Sequence, residues 1–168
     1  ARAGYGYDAD TGKELWMIKH KNMNAAVRPL WIPEHNMAVI NTGSARATLM
    51  GIKLGASLKG DITSTASWVQ KRGSRYCLPI YYKDHIYQVT HDGTVSCSNI
   101  LSGQKLWSKT LANKFMASPF LAGDNIFAFD EFGKGFVFKA STKEFKQVAV
   151  NDLDEPISAA PAVAEGAI

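Results

Sequence analysis

The sequence predicts an all-β protein, a β-propeller made of repeated blades that each contain four antiparallel strands. Three observations predict this fold. The segment Asp8–Trp16 returns as Asn99–Trp107, with the tryptophans 91 residues apart, which is about two of the ~40–45-residue units that a four-stranded blade needs. Four of the six prolines share one register, at intervals of 50, 40 and 42 residues. Period-two alternation dominates, and no segment has the pattern of a long amphipathic helix.

The prolines predict the innermost strand of each blade. Pro29, Pro79, Pro119 and Pro161 each open an apolar stretch, which a polar turn and a second apolar run follow. Proline has no N–H for a ladder, and therefore belongs on an edge strand within a sheet. The innermost strand of a propeller blade is such an edge.

This register divides the chain, residues 1–168, into parts of a propeller. It predicts a blade remnant at 4–19, blades at about 26–70, 76–109 and 115–149, and the start of another blade at 157–168. The best unit has strands Tyr76–Tyr82, His85–Thr90, Thr94–Asn99 and Gln104–Lys109, with a tight turn at Asp92-Gly93. In the unit after it, strands are predicted at Phe115–Leu121, Asn125–Asp130, Gly135–Lys139 and Phe145–Ala149. Phe145 is there expected in the place of the tryptophan. The unit before it begins with a strand at Ala26–Trp31 and carries an insertion at roughly 55–67.

The recurring tryptophans predict a structural clasp between blades. Each lies on an outermost strand, where its indole can pack against the glycine-containing turn of a neighbouring blade. Burial of such a side chain contributes on the order of 2–3 kcal/mol. The residues expected to form these clasps are Gly12, Trp16, Trp68, Gly103 and Trp107. Stacking of a ligand on the tryptophans is the alternative.

The charge balance is mildly positive, with a formal net charge of +4. Two basic clusters stand out, one at residues 19–21 and one formed by Lys71, Arg72 and Arg75. We expect solvated loops at both, with an anionic ligand or surface as the alternative. No nucleic-acid partner is predicted, because such binders concentrate their charge on one face. No run approaches the ~18–20 apolar residues of a membrane-spanning helix.

No catalytic, cofactor-binding or metal-binding residue is predicted. His20, His35, His85 and His91 lack the short spacing of zinc ligands. A solvated loop explains Asp152, Asp154 and Glu155, and neither Ser118 nor Ser158 has a recognisable catalytic partner. Cys77 and Cys97 are expected two strands apart, ~9.6 Å, which is too far for a disulfide. We therefore expect free, buried thiols.

The motifs resemble a known family. The run Tyr7–Trp16 is similar to the tryptophan-docking repeat of the pyrroloquinoline-quinone-type (PQQ-like) β-propellers, as are residues 95–107, Ala117-Ser118-Pro119 and Ser158–Pro161. Members include quinoprotein alcohol dehydrogenases, the outer-membrane β-barrel assembly lipoprotein, and uncharacterised bacterial extracytoplasmic proteins, which the chain resembles most. The resemblance implies seven or eight blades, and hence that this chain is an incomplete part of a larger propeller. Alternatively, its terminal strands complete one composite blade and close a four-bladed ring.

The resemblance also frames the function. The expected role is a non-catalytic binding or scaffold module for a protein or glycan partner, periplasmic or secreted. The alternatives are a fragment of a PQQ-dependent dehydrogenase and a scaffold-like lipoprotein of outer-membrane β-barrel assembly. The family's enzymes hold the quinone against a disulfide of adjacent cysteines beside a Ca²⁺ ion, and this sequence has neither that cysteine pair nor a spaced set of carboxylates. No cofactor is therefore predicted. An open fragment would expose strand edges, which favours edge-to-edge association.

Overall fold

The described part of the chain folds into β-strands with two short 3-10 helices. The computed structural model describes residues 2–23, 25–44, 46–111 and 114–164. The 3-10 helices are Pro33–His35 and Thr63–Thr65. In chain order the strands are β1 (Ala3–Tyr7), β2 (Glu14–Lys19), β3 (Leu30–Ile32), β4 (Met37–Asn41), β5 (Thr48–Lys53), β6 (Gly60–Asp61), β7 (Trp68–Lys71), β8 (Ile80–Tyr82), β9 (His85–Val89), β10 (Thr94–Asn99), β11 (Lys105–Thr110), β12 (Phe120–Ala122), β13 (Asn125–Phe129), β14 (Lys134–Lys139) and β15 (Gln147–Asp152).

The strands form four sheets. Three of them are four-stranded and antiparallel, with the orders β3-β4-β5-β7, β8-β9-β10-β11 and β12-β13-β14-β15. The remaining sheet has three strands in the order β1-β2-β6. Its β6 comes from the predicted insertion at 55–67 and runs parallel to β2, with Trp16 opposite Gly60. The all-β propeller architecture is therefore confirmed, and the insertion supplies a parallel strand that the sequence did not predict.

The innermost strands are shorter than predicted. Each of β3, β8 and β12 has three residues and begins directly after Pro29, Pro79 or Pro119. The ladder starts there because proline has no N–H to donate and fixes its own φ. The residues before each proline, predicted as strand, are irregular. Pro161 opens no strand among the residues described after it, and residues 165–168 lie outside the described part of the chain.

The fourth strand of the last sheet, β15, lies further along the chain than predicted. Trp16, Trp68 and Trp107 lie opposite Gly6, Gly51 and Cys97, at the fourth position of the neighbouring strand. The fourth position of β14 is Val137, and its partner is Ala149. Ala149, and not Phe145, therefore occupies the tryptophan position, because the turn between β14 and β15 is longer than the repeat spacing allows.

The contacts within the chain divide it into two compact units. One comprises Ala1–Arg75 with Leu101–Gly103, and the other Tyr76–Ile100 with Gln104–Ile168. A core cluster of the first unit contains Ile18, Ile40, Met50, Ile52 and Ile62. The core cluster of the second unit joins its two sheets; its largest fully buried side chains include Phe115, Ile126 and Phe138.

Central and outer strands differ in burial. All five residues of β4 are buried, as are the four middle residues of β10 and β14. The outer strands β11 and β15 expose every residue except one half-buried position, Trp107 or Ala149. Central strands packed on both faces are rich in apolar residues on both faces. No helix among the described residues has the length and apolar character needed to cross a membrane.

Candidate binding surfaces

Trp68 lies between two glycines of the first unit. Its side chain is 8% exposed. A Cβ atom added at Gly103 would lie 2.5 Å from Trp68 Cγ, and one added at Gly51 would overlap the other end of the indole. Gln70, two residues along β7, donates from Nε2 to the carbonyl oxygen of Gly103 at 2.5 Å. The indole thus packs on the turn that contains Gly103 and on the strand beside it.

Trp16 and Trp107 make different contacts. The indole of Trp16 covers Gly6 on the neighbouring strand β1. Trp107 donates its indole N–H to the carbonyl oxygen of Ser141 at 2.8 Å, and packs edge-on against Phe145 with ring centroids 6.0 Å apart. Phe145 thus fills space beside Trp107 from the turn before β15.

Gly12 differs from Gly103 in its surroundings. Both adopt a left-handed backbone, with φ of 68° and 66°. A Cβ atom at Gly12 would meet no atom within 4 Å, so no indole of the described residues covers it. Docking at Gly12 stays a prediction. Sequence reasoning missed Gly6 and Gly51, although a glycine inside a strand signals close approach of another group.

Several candidate residues for chemistry have structural partners instead. His85 Nδ1 lies 2.6 Å from the carbonyl oxygen of Lys83, and His91 Nδ1 lies 3.2 Å from that of Phe115. Ser118 accepts a hydrogen bond from the N–H of Leu78 at 2.9 Å. Asp152, the exposed last residue of β15, accepts one from the N–H of Asp154. Among the described residues, no three His, Cys, Asp or Glu side chains come together as a metal site.

Both cysteines are free and buried, as predicted. Cys97 lies in the middle of β10, whereas Cys77 precedes β8. Burial raises the pKa of the Cys97 thiol to about 11. The thiolate is the reactive form of cysteine, and this thiol is therefore protonated and unreactive near pH 7.

A rigid turn exposes an aromatic side chain in the second unit. Phe132 is 61% exposed, between β13 and β14. The buried carboxylate of Asp130 accepts hydrogen bonds from the N–H groups of Phe132 and Lys134, both at 2.9 Å. The N–H of Leu153, a residue that is 50% exposed, donates to the carbonyl oxygen of Gly133 at 3.1 Å. Two apolar side chains therefore flank one fixed turn.

The first unit carries a basic surface that joins the two clusters noted in the sequence. It consists of two neighbouring concavities of about 410 and 530 Å³, which share Arg46 and Thr48. The first is lined by Lys19, His20, Lys21, Asn22, Arg46, Thr48, Met50 and Val69. The second is lined by Arg46, Ala47, Thr48, Lys71 and Arg72. Among the residues that the structure describes, no carboxylate lines either concavity. We call these two concavities the basic surface.

Comparison with known proteins gives the family. The family model described as "Outer membrane protein assembly factor BamB" matches residues 5–145. The chain belongs to this family. It is a PQQ-like β-propeller family, as the motifs indicated. A comparison with curated proteins gives no significant match.

Solved structures agree on the fold. BamB from Moraxella catarrhalis superposes with a TM-score of 0.70 at 20% identity, over 96% of this chain and 46% of that chain. The chain thus spans about half the length of that relative. A europium-containing methanol dehydrogenase matches with a TM-score of 0.57 at 15% identity, over 73% of this chain and 23% of its own. The computationally designed Ika4 protein matches with a TM-score of 0.67 at 15% identity, over 89% of this chain and 86% of its own.

Proposed function

We propose that this chain is part of a non-catalytic, protein-binding propeller that acts in outer-membrane protein assembly in a bacterial envelope. Membership of the family supports this role, and the periplasmic side of the membrane is the location it favours. The observation that carries the proposal is the rigid turn that exposes Phe132. Protein is favoured over glycan as the partner because the turn offers apolar area.

The turn has the features of a binding hot spot. Aromatic residues are enriched at the cores of protein interfaces. The two hydrogen bonds to Asp130 hold the Phe132 backbone in place before any partner arrives, which lowers the entropy lost on binding. Leu153 beside it widens the apolar area that a partner would cover.

Site-specific photo-crosslinking in cells tests this role. A photoreactive amino acid at position 132 of the full-length protein should crosslink to a component of the outer-membrane assembly machinery. The matched control is position 92, which occupies the same place in the turn between β9 and β10. We expect crosslinks at 132 and few at 92. Crosslinks of equal yield at both positions would contradict a specific surface at Phe132.

Genetic complementation supplies a second readout. Loss of the gene should lower the amounts of outer-membrane proteins. Phe132→Ala should restore them poorly, whereas Val148→Ala, at a residue 51% exposed on β15, should restore them fully. The dehydrogenase alternative is tested with purified protein, PQQ and Ca²⁺, and reduction of a dye under these conditions would overturn the non-catalytic role.

A further inference from the structure

We propose that the basic surface of the first unit is a docking site for an acidic segment of a partner protein, bound in extended form along β7. This inference rests on the proposed protein-binding function. The residues of the basic surface lie in a different part of the sequence from Phe132.

The charge of the surface comes from four side chains. Lys21, Arg46, Lys71 and Arg72 are exposed, and within the described part of the chain no carboxylate forms an ion pair with any of them. Lys19 differs, because its Nζ lies 2.7 Å from a carboxylate oxygen of Asp61. Desolvation lowers the pKa of His20, so its imidazole is neutral near pH 7 and adds no charge.

The turn that carries Arg46 is held in place by hydrogen bonds. Asn22 Nδ2 donates to Thr42 Oγ1 at 2.7 Å and to the carbonyl oxygen of Arg46 at 2.9 Å. The N–H of Thr48 donates to Thr42 Oγ1 at 2.8 Å. The segment after β2 and the turn between β4 and β5 are therefore tied together. The Arg46 backbone is positioned before binding, which reduces the ordering cost for a ligand.

The floor of the surface is apolar. Val69 is 55% exposed on β7, and the buried Met50 lies beside it on the neighbouring strand, directly opposite in register. Val69 and Lys71 lie on one face of β7, since alternate residues share a face. Trp68 and Gln70, on the other face, contact Gly103. One face of β7 therefore packs within the protein, and the other face exposes Val69 beside the cationic Lys71.

An extended acidic peptide fits this arrangement. β7 is the last strand of its sheet, and an extended peptide can add to such an edge with side chains of alternating direction. The cations are spread over two concavities, which suits several carboxylates along a peptide better than one phosphate group. Arginine and carboxylate form bidentate hydrogen bonds, which favours Arg46 as a specific contact.

Fluorescence anisotropy with a labelled peptide tests the proposal. The probe is Asp-Leu-Glu-Val-Asp-Leu-Glu, and the comparison peptide has Asn and Gln in place of its acids. We expect the purified protein to bind the acidic peptide at least about tenfold more tightly, with affinity falling several-fold between about 50 and 300 mM NaCl as salt screens the charges. Equal affinity for both peptides would overturn the proposal.

A pair of matched variants separates a specific site from bulk charge. Arg46→Glu with Lys71→Glu should weaken binding of the acidic peptide by about tenfold or more, since two attractive contacts become repulsive. Lys105→Glu with Lys109→Glu changes the net charge equally, on the exposed strand β11, and should alter affinity less than about twofold. Equal weakening by both pairs would refute a defined site.

Lipid vesicles and the crosslinking experiment distinguish the remaining outcomes. Binding to phosphatidylglycerol vesicles that Arg46→Glu with Lys71→Glu abolishes, without peptide binding, would overturn the protein partner in favour of a lipid surface. Val69→Ser should weaken peptide binding about threefold, because it removes apolar contact only. It should leave binding to the phosphate headgroups of the vesicles unchanged. Failure here with specific crosslinks at position 132 would remove this docking site and leave the proposed function standing.

Discussion

Replacing Gly103 by alanine measures how closely the turn and the Trp68 indole fit together. The added Cβ atom would lie 2.5 Å from Trp68 Cγ and 2.6 Å from Cδ2. The variant Gly12→Ala is the matched control. Gly12 has almost the same φ and the same place in the motif, but no atom lies within 4 Å of its Cβ position. The difference between the two variants isolates the contact with the indole.

The magnitudes follow from two separate costs. A left-handed conformation costs an alanine about 1–2 kcal/mol, and both variants bear this cost. Overpacking a buried contact costs about 1–3 kcal/mol more, and only Gly103→Ala bears it. We therefore expect the unfolding free energy to fall by about 1–2 kcal/mol for Gly12→Ala and about 2–5 kcal/mol for Gly103→Ala.

Urea unfolding followed by circular dichroism is the assay, with thermal melting as the second measurement. Each kcal/mol corresponds to a shift of about 2–4 °C in Tm for a chain of this size. In a Trp68→Ala background the overlap with the indole ring is absent and only the contact with the Cβ atom of residue 68, at 2.8 Å, remains. The excess cost of Gly103→Ala over Gly12→Ala should then shrink. Equal effects of the two glycine substitutions in the wild-type background would refute the fit between turn and indole.

Two further predictions concern the second unit. Asp130→Ala should lower the unfolding free energy by about 1–3 kcal/mol, because two N–H groups of a partly buried turn lose their acceptor. Asp152→Ala, at the exposed end of β15, should change it by less than about 0.5 kcal/mol. Burial raises the pKa values of Cys97 and Tyr87, from 9.0 to about 11 for the thiol. Because the folded state holds both groups protonated, their contribution to stability should be constant below about pH 9 and should fall between pH 9 and pH 11. Urea titrations across this range test it, and Cys97→Ala should reduce the loss.

The sequence predicted the sheets well because tryptophans and prolines recur at regular intervals and mark the register of each repeat. The hairpin at Asp92-Gly93 is present between β9 and β10. The errors lie at strand boundaries that these marks do not fix. Pro29, Pro79 and Pro119 mark the start of the inner strands, but the residues before them read equally well as strand. Phe145 was expected in the place of the tryptophan, but the long turn between β14 and β15 puts Ala149 there.

The candidate surfaces were less predictable because they depend on residues far apart in the chain. The lysines at 19–21 and the pair Lys71 and Arg72 are 50 residues apart, and either cluster alone is typical of a solvated loop. Only the sheet order brings both next to Arg46. Phe132 reads as an ordinary aromatic residue of a β protein, and its exposure follows from the hydrogen bonds of Asp130.

The turn between β4 and β5 is longer than closure of its hairpin requires. Six residues separate these strands, whereas four separate β9 from β10 and four separate β13 from β14. Both Thr42 and Thr90 close their turns by the same contacts. The Thr42 hydroxyl accepts from the N–H of Thr48 at 2.8 Å and donates to its carbonyl oxygen at 3.2 Å. The corresponding distances between Thr90 and Thr94 are 3.1 and 3.0 Å.

A turn exchange therefore separates folding from binding. Replacing residues 43–47 by His-Asp-Gly, the residues that follow Thr90, keeps a threonine at both ends and removes Arg46. We expect a Tm within several degrees of wild type. The exchange removes the Asn22 contacts with this turn and the small buried side chain of Ala47, but the new glycine can accept from the N–H of Gly73 as Gly93 accepts from that of Leu111. The peptide affinity should be at least about tenfold weaker, as for charge reversal at this site. The reverse exchange, with residues 43–47 placed after Thr90, should not create a peptide site, because no Lys71 or Val69 stands beside that turn. Undiminished binding by the shortened protein would show that the added length serves the fold and not the acidic partner.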